Sequence, residues 1–208
     1  MKYLLLILLW VFWCALHSGM IAAPVTEYVK KRLGNRYRFY RLFYNSLALV
    51  TLLPPVYYSI LLEGTPVFRW HGALVLLQCF LLIAGLVLFI AGAKHYNISQ
   101  FLGIRQVRTG EINPTLSEDD AFDMTGILCA IRHPWYAAGI MVVWARDLSL
   151  STVLTNLVIT AYFIVGSILE ERKLVREFGS TYIEYQQHVS MFFPYMWLKA
   201  KIAQRFDR

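Results

Sequence analysis

The sequence predicts an all-α protein, a polytopic membrane bundle of about five transmembrane helices with a cytoplasmic loop and a C-terminal helical tail. Three observations predict it. Hydrophobic residues make up 58% of the 208 and charged residues 16%, and the mean hydropathy is +0.49; a soluble domain carries more charge. Apolar runs recur at roughly 17 to 25 residues, the length that crosses a bilayer. Basic residues gather between the runs instead of being spread along the chain.

The first run is Tyr3 to Ala23. Met20-Ile21-Ala22-Ala23 offers the small residues of a signal-peptide cleavage site, but only Lys2 precedes the run and His17-Ser18 interrupts it, so a retained helix is expected. The second run is Phe39 to Leu62 and the third His71 to Ala93, which completes an N-terminal block of three helices over 1–93. A loop over 94–134 is long for a helical bundle. Its first half, Lys94 to Arg108, mixes Tyr96, Phe101, Leu102 and Ile104 with His95, Asn97, Gln100, Arg105 and Gln106, and is expected to fold onto the bundle at the membrane interface. Its second half, Thr109 to Asp123, carries Gly110, Pro114 and Glu118-Asp119-Asp120 and reads as a solvated excursion.

A helical hairpin over 135–169 follows: Trp135 to Ala145 and Leu150 to Leu169, joined by a tight turn around Arg146-Asp147. The first arm is short, which leaves open whether it crosses fully. In the tail, 170–208, Leu174, Phe178 and Tyr182 recur every four residues and share a helix face. Gly179 is placed to end that helix and Ser180 to cap the next. Phe192-Phe193-Pro194-Tyr195-Met196-Trp197 reads as an aromatic interfacial anchor before a basic amphipathic end. The chain is expected to be one integral-membrane domain, 1–208.

The net charge of +7 invites a nucleic-acid reading, which its distribution rejects. Lys30, Lys31, Arg32, Arg36, Arg38 and Arg41 cluster after the first run, and Arg172, Lys173, Arg176, Lys199, Lys201, Arg205 and Arg208 follow the last. By the positive-inside rule the N-terminus lies outside, and the 24–38 loop, the 94–134 loop and the C-terminal tail lie in the cytoplasm. The expected setting is a bacterial inner membrane, with lipids as partners, no nucleic acid and no obligate protein partner. Cys14, Cys79 and Cys129 are scattered and odd in number, so neither structural zinc nor a disulfide framework is expected.

The residues that exceed a membrane scaffold are Arg132-His133-Pro134-Trp135-Tyr136 at the start of the hairpin and Glu170-Glu171-Arg172 at its end. Topology puts both on one membrane face. Ionisable groups at membrane depth are costly and mark function. Pro134 suits a first helical turn, and the amides beside it suit an anion. Gly139 allows another backbone or a ligand to approach closely.

Thr125-Gly126, Arg132-His133-Pro134-x-Tyr136-x-x-Gly139, Glu170-Glu171, Phe178-Gly179-x-x-Tyr182-x-x-Tyr185 and Pro194 together resemble the integral-membrane methyltransferases of the isoprenylcysteine carboxyl methyltransferase superfamily. Trp13-x-x-x-His17-Ser18, Tyr40-Arg41-Leu42-Phe43-Tyr44-Asn45 and Gly103-Ile104-Arg105-Gln106 resemble the branch holding methanethiol S-methyltransferases and NnrU-like membrane proteins. Leu128 departs from the Tyr found in many relatives.

The resemblance implies S-adenosylmethionine as cofactor, although no GxGxxG follows a strand here. It implies that His133 and Tyr136 hold the cofactor's methionine end, and that Glu170 meets its amine or ribose. Glu171 supports that contact or pairs with Arg172. Gln106 and Val107 line the same pocket, and Tyr182 and Tyr185 close it. The implied reaction is methyl transfer to a small or lipophilic thiol. Its alternatives are methylation of a prenylcysteine carboxylate or a phospholipid amine. A thiol needs deprotonation, for which His17, His95 and Arg105 are candidates; a carboxylate would need Arg132 or Arg172 to place it. The candidate catalytic residues are thus Arg132, Arg105 and His17, and no metal is expected.

A non-enzymatic accessory protein is the reading of a different class, with His17, His71, His95, His133 and His188 as haem ligands. His17 and His71 are expected near the outer side and His133 inside, and no CxxCH accompanies them. A reductase would need a nicotinamide site, for which the sequence has no candidate.

Overall fold

A computed structural model describes residues 1–95, 97–110 and 124–206. Tyr96, most of the expected excursion with Pro114, Glu118-Asp119-Asp120 and Asp123, and Arg208 lie outside the described residues. Among the described residues every named element is a helix, and β-pairing is confined to the isolated bridges Phe68–Leu148 and Ile131–Ser190. The residues group into two compact units.

The first unit holds Met1–Arg69, the described part of Tyr96–Glu118, and Asp147–Tyr162. Helix α1 spans Lys2–Ile21 and buries Leu6, Trp10 and Cys14, spaced by four on one stripe. Extended backbone at Ala22 breaks the chain before α2, Ala23–Leu33, which has Pro24 in its first turn and Lys30, Lys31 and Arg32 in its last. Cations there complement the negative end of the helix dipole. A short 3-10 helix, Gly34–Phe39, leads into α3, Tyr40–Leu61. The pair α1–α3 is tied by Trp10 Nε1 donating to Ser59 Oγ and Trp13 Nε1 donating to the Ala48 carbonyl, both at 3.0 Å.

Two short helices, α5 (Ile98–Leu102) and α6 (Ile104–Thr109), belong to the same unit; α4 is described below. They fold onto α3 as expected for the first half of the loop. Asn97 caps α5 by accepting from the Gln100 amide at 3.0 Å. Between the helices Gly103 has φ +87°, and a Cβ there would sit 2.7 Å from the Leu42 amide. Only glycine meets both demands. Arg41 Nε and Asn45 Nδ2 each donate to the Phe101 carbonyl at 3.0 Å. Two of the three branch motifs, 40–45 and 103–106, therefore meet at one junction.

The second unit holds Trp70–His95, Asp119–Arg146 where described, and Phe163–Arg208. Here α4, Leu74–Ala93, packs on α7, Pro134–Trp144. Gly85 and Gly92 make room: a Cβ would lie 3.1 Å from Val142 Cγ2 at the first and 2.7 Å from Trp135 Cδ1 at the second. Close approach over small residues is how membrane helices gain packing energy.

Helix α8 runs unbroken from Leu150 to Phe178, its first residues in one unit and the rest in the other. The expected span ending at Leu169 and the expected tail helix are one element. Gly179, at φ +59°, ends it, and α9 covers Ser180–His188. The capping position is Gly179 itself, without a side-chain bond, which corrects the capping role expected of Ser180. Helix α10, Tyr195–Phe206, closes the chain.

Among the described residues three helices are long and apolar enough to cross a membrane: α1, α4 and α8. Helix α7 has 11 residues, about 16 Å at 1.5 Å per residue against a core of about 30 Å. Helix α3 has the length, at 22 residues, but carries Arg41, Asn45, Thr51, Ser59 and an internal Pro54-Pro55.

Candidate functional site

Within the second unit, Arg132, His133, Glu170, Glu171 and Tyr136 come together, and the local chain explains why. The stretch before α7 pairs with the stretch after α9: the Arg132 amide donates to the Ser190 carbonyl at 2.9 Å and the His133 amide to Met191 at 3.1 Å. Pro134 then starts α7 at its first turn, where its missing N–H is no loss. These bonds fix the rims of α7 and α9 against the polar end of α8.

Glu171 is the hub. Its Oε1 accepts from Arg132 Nε at 2.6 Å and lies 3.2 Å from His133 Nε2, while Oε2 accepts from Gln186 Nε2 at 2.8 Å. Arg132 also donates to the Gln186 and Val189 carbonyls. Arg132 and Glu171 each keep 9% of their side-chain surface and His133 6%. A buried charge pair persists only when its remaining bonds are satisfied, and here they are. The ion-pair partner of Glu171 is Arg132 and not the exposed Arg172, the second of the two roles expected of it.

Glu170 differs from its neighbour. It retains 39% exposure, and its Oε2 lies 3.8 Å from His133 Nδ1, beyond a direct hydrogen bond. Tyr136 is stacked between His133 and Phe163, 5.5 Å from each. Gly139 serves that stack: a Cβ there would come within 2.6 Å of the Phe163 ring, so its close approach is to a side chain of α8.

Tyr182 and Tyr185 are buried in a cluster with Val189, against Leu174, Val175 and Phe178. The Tyr185 hydroxyl donates to the Leu128 carbonyl at 2.6 Å. Burial pushes the Tyr182 phenol well above its ordinary value, and the nearby Glu171 carboxylate adds to the shift. Both tyrosines pack the tail against the site's supporting wall. Leu128, the departure from the motif, is itself buried in that wall.

The first unit holds His17, Arg105, Gln106 and Val107. His17 sits in a polar knot inside the bundle: its Nδ1 lies 2.8 Å from the Tyr162 hydroxyl, its Nε2 2.6 Å from the Tyr44 hydroxyl, and Ser18 Oγ donates to Tyr162 at 3.0 Å. Trp13 lies beside the imidazole at 5.1 Å. The bond to Tyr44 joins His17, near the C-terminal end of α1, to the first turns of α3. Gln106 is buried on α6; its Nε2 donates to the Gln100 carbonyl at 3.0 Å, and its Oε1 is buried without a hydrogen-bond partner.

Gln186, Phe163, Tyr44 and Tyr162 are the site residues that sequence reasoning did not single out for roles. Tyr44 lay inside a motif already noted. Gln186 stands one position beyond Tyr185 and carried no signal of its own. Among the described residues no group of His, Cys, Asp and Glu could hold a metal ion.

Comparison with known proteins adds a family and named relatives. The NnrU protein family matches residues 5–194. A methanethiol S-methyltransferase of Pseudomonas deceptionensis is 32% identical over 126 residues, 59% of this chain and 46% of that protein. A methanethiol S-methyltransferase 2 of Bradyrhizobium diazoefficiens is 30% identical over 146 residues, 68% of this chain and 54% of that protein. The chain spans about half the length of the curated relatives it matches. No solved structure matches.

Proposed function

This chain belongs to the NnrU protein family, and on that premise we propose that it is a membrane methyltransferase taking its methyl group from S-adenosylmethionine and giving it to a small or lipophilic thiol. The relatives named methanethiol S-methyltransferase support the reaction class and the acceptor. The observation that carries the reading is the asymmetry of the two carboxylates. Glu171 is consumed by Arg132, His133 and Gln186, while Glu170 stays half-exposed beside His133 Nδ1.

That donor set fits the cofactor. With His133 neutral, Arg132, Glu170 and Glu171 sum to one negative charge, which suits a ligand with an ammonium and a sulfonium. When bound, the cofactor supplies an electrophilic methyl group on sulfur. His133 and Glu170 would hold its amine, and Tyr136 would offer a ring face to its positive end. Glu171 supports His133. Arg132 is a positioning residue in this reading, not a cation that places substrate, because its guanidinium is committed to Glu171 and two carbonyls. Tyr182 and Tyr185 act as the wall behind the site.

The acceptor must lose a proton, since a thiol with a pKa near 8.5 is mostly protonated at neutral pH. His17 is the proposed proton acceptor, because both of its ring nitrogens face phenol hydroxyls. A neutral imidazole between two phenols has one N–H and one lone pair, so the chain Ser18–Tyr162–His17–Tyr44 can run in either direction. Taking up a proton at one end while releasing one at the other reverses its sense. The whole is read as a bacterial inner-membrane protein with five membrane segments, α3 and α7 joining the three longer helices. Its N-terminus is outside, and the site and tail face the cytoplasm.

The NnrU match fits a non-enzymatic accessory protein as well. Titration of the detergent-purified protein with S-adenosylhomocysteine separates the two. Saturable binding supports the methyltransferase. Absence of binding by folded protein overturns it and brings the accessory reading forward.

A further inference from the structure

We propose that Gln186 and Glu171 are positioning residues that lock one tautomer of His133, so that Nδ1 stands with Glu170 as a paired acceptor for a primary ammonium. The ammonium as cofactor amine rests on the function proposed above; the tautomer does not.

The argument begins at Glu171. A carboxylate only accepts hydrogen bonds. Its Oε1 already takes Arg132 Nε, and His133 Nε2 faces the same oxygen at 3.2 Å. A lone pair on Nε2 would point at a negative oxygen, so Nε2 carries the hydrogen. In the neutral ring Nδ1 is then an acceptor.

The orientation holds only while Glu171 cannot turn. A partial turn of its carboxyl group would swing Oε1 away from Nε2 and release His133. Gln186 prevents this by donating to Oε2 at 2.8 Å. Gln186 is held in turn: its own carbonyl accepts from Arg132 Nη1 at 3.0 Å, which closes a ring from Arg132 through Glu171 and Gln186 back to Arg132. The ring joins the stretch before α7, the end of α8, and α9. Stacking on Tyr136 at 5.5 Å and the tilted Phe192 ring at 6.2 Å keep the imidazole plane from flipping.

On the far side of the imidazole, Nδ1 and Glu170 Oε2 lie 3.8 Å apart, two acceptors facing one gap. That distance is too long for a bond between them. A single donor nitrogen about 2.9 Å from each completes a triangle over it. An ammonium supplies two N–H groups and a positive charge; a carboxylate or a phosphate would be repelled. The gap thus selects the charge of the group it takes.

The test is nitrogen NMR on protein labelled with 15N-histidine, free of ligand, the His133 signals assigned by their loss in His133→Asn. The expected spectrum has Nε2 protonated and Nδ1 bare. Gln186→Met, nearly isosteric but unable to donate, is expected to give a mixture of tautomers and to weaken S-adenosylhomocysteine binding about tenfold, the scale of one hydrogen bond. Gln186→Lys, which restores a donor toward Glu171, should recover most of both. A ligand-free wild-type protein with hydrogen on Nδ1 overturns the lock, and that result needs no variant to fold. Gln186→Met with an unchanged tautomer overturns the role of Gln186. Wild-type protein with the expected tautomer but no affinity for S-adenosylhomocysteine would sink the proposed function and leave the lock standing.

Discussion

The Arg132 guanidinium lies 2.6 Å from the Glu171 carboxylate, with nine-tenths of both side chains withdrawn from the surface. Such a pair contributes little on balance when intact, but removing one partner strands the other. Arg132→Ala should lower unfolding free energy by about 3–5 kcal/mol. Arg132→Lys should recover little, because an ammonium cannot reproduce the planar fork that reaches Glu171 and two carbonyls at once. Thermal unfolding in detergent reads both. A shift of only a degree or two in Arg132→Ala would mean that the tail is held by its tyrosine cluster alone.

His133→Ala and Glu170→Ala are expected to lose affinity for S-adenosylhomocysteine. Glu170 is half-exposed and makes no buried pair, so its variant should remain as stable as the parent. His188→Ala is the control: His188 is exposed, with Nδ1 against the Glu184 carbonyl at the end of α9, and its variant should bind normally. Titration calorimetry of all three is the check. Parental affinity in both of the first two would remove the site from this end of α8.

These two predictions draw on different layers of the sequence. Arg132-His133 and Glu170-Glu171 were legible as a cluster, because so many ionisable groups beside apolar runs have few structural reasons. Which carboxylate is bound and which is open was not legible. Adjacent glutamates on a helix point about 100° apart, and the choice depends on the tertiary approach of Arg132 and Gln186. The apolar periods marked α1, α4 and α8, where burial in lipid makes composition decisive. They also marked the short first arm of the hairpin, and α7 is as short, 11 residues ending before the turn at Arg146. Ser180 failed as a cap because the left-handed turn at Gly179 already took that position. The partners of His17 lie in α3 and α8, far along the chain, and no local pattern joins them.

Gly139→Ala should destabilise the second unit and disturb the stack on Tyr136. The added methyl would meet the Phe163 ring at 2.6 Å. Overpacking of this kind costs about 1–3 kcal/mol. Because the obstacle is one aromatic ring, Gly139→Ala combined with Phe163→Leu should regain part of the loss, whereas Phe163→Leu alone should be mildly destabilising. Thermal unfolding of the three variants forms a double-mutant cycle. Additive effects would show that the methyl is accommodated by a backbone shift and that Phe163 is not its neighbour in the working protein.

His17→Gln should discriminate among thiols by their acidity. If the Tyr44–His17–Tyr162 chain accepts the acceptor's proton, a weakly acidic thiol depends on it and an already ionised thiol does not. General-base assistance of this kind contributes about 10²- to 10⁴-fold. The variant should therefore lose kcat/KM by that order for alkyl thiols and only a few-fold for thiols ionised at the assay pH. Tyr44→Phe, which keeps the ring and removes one hydroxyl of the chain, should show the same trend more weakly. S-adenosylhomocysteine binding should be unchanged in both, since the cofactor groups proposed here lie in the other unit. The measurement is kcat/KM across a series of thiols of rising pKa. A uniform loss over the whole series would make His17 a packing residue of α1 and α3 and leave the thiol proton to another group.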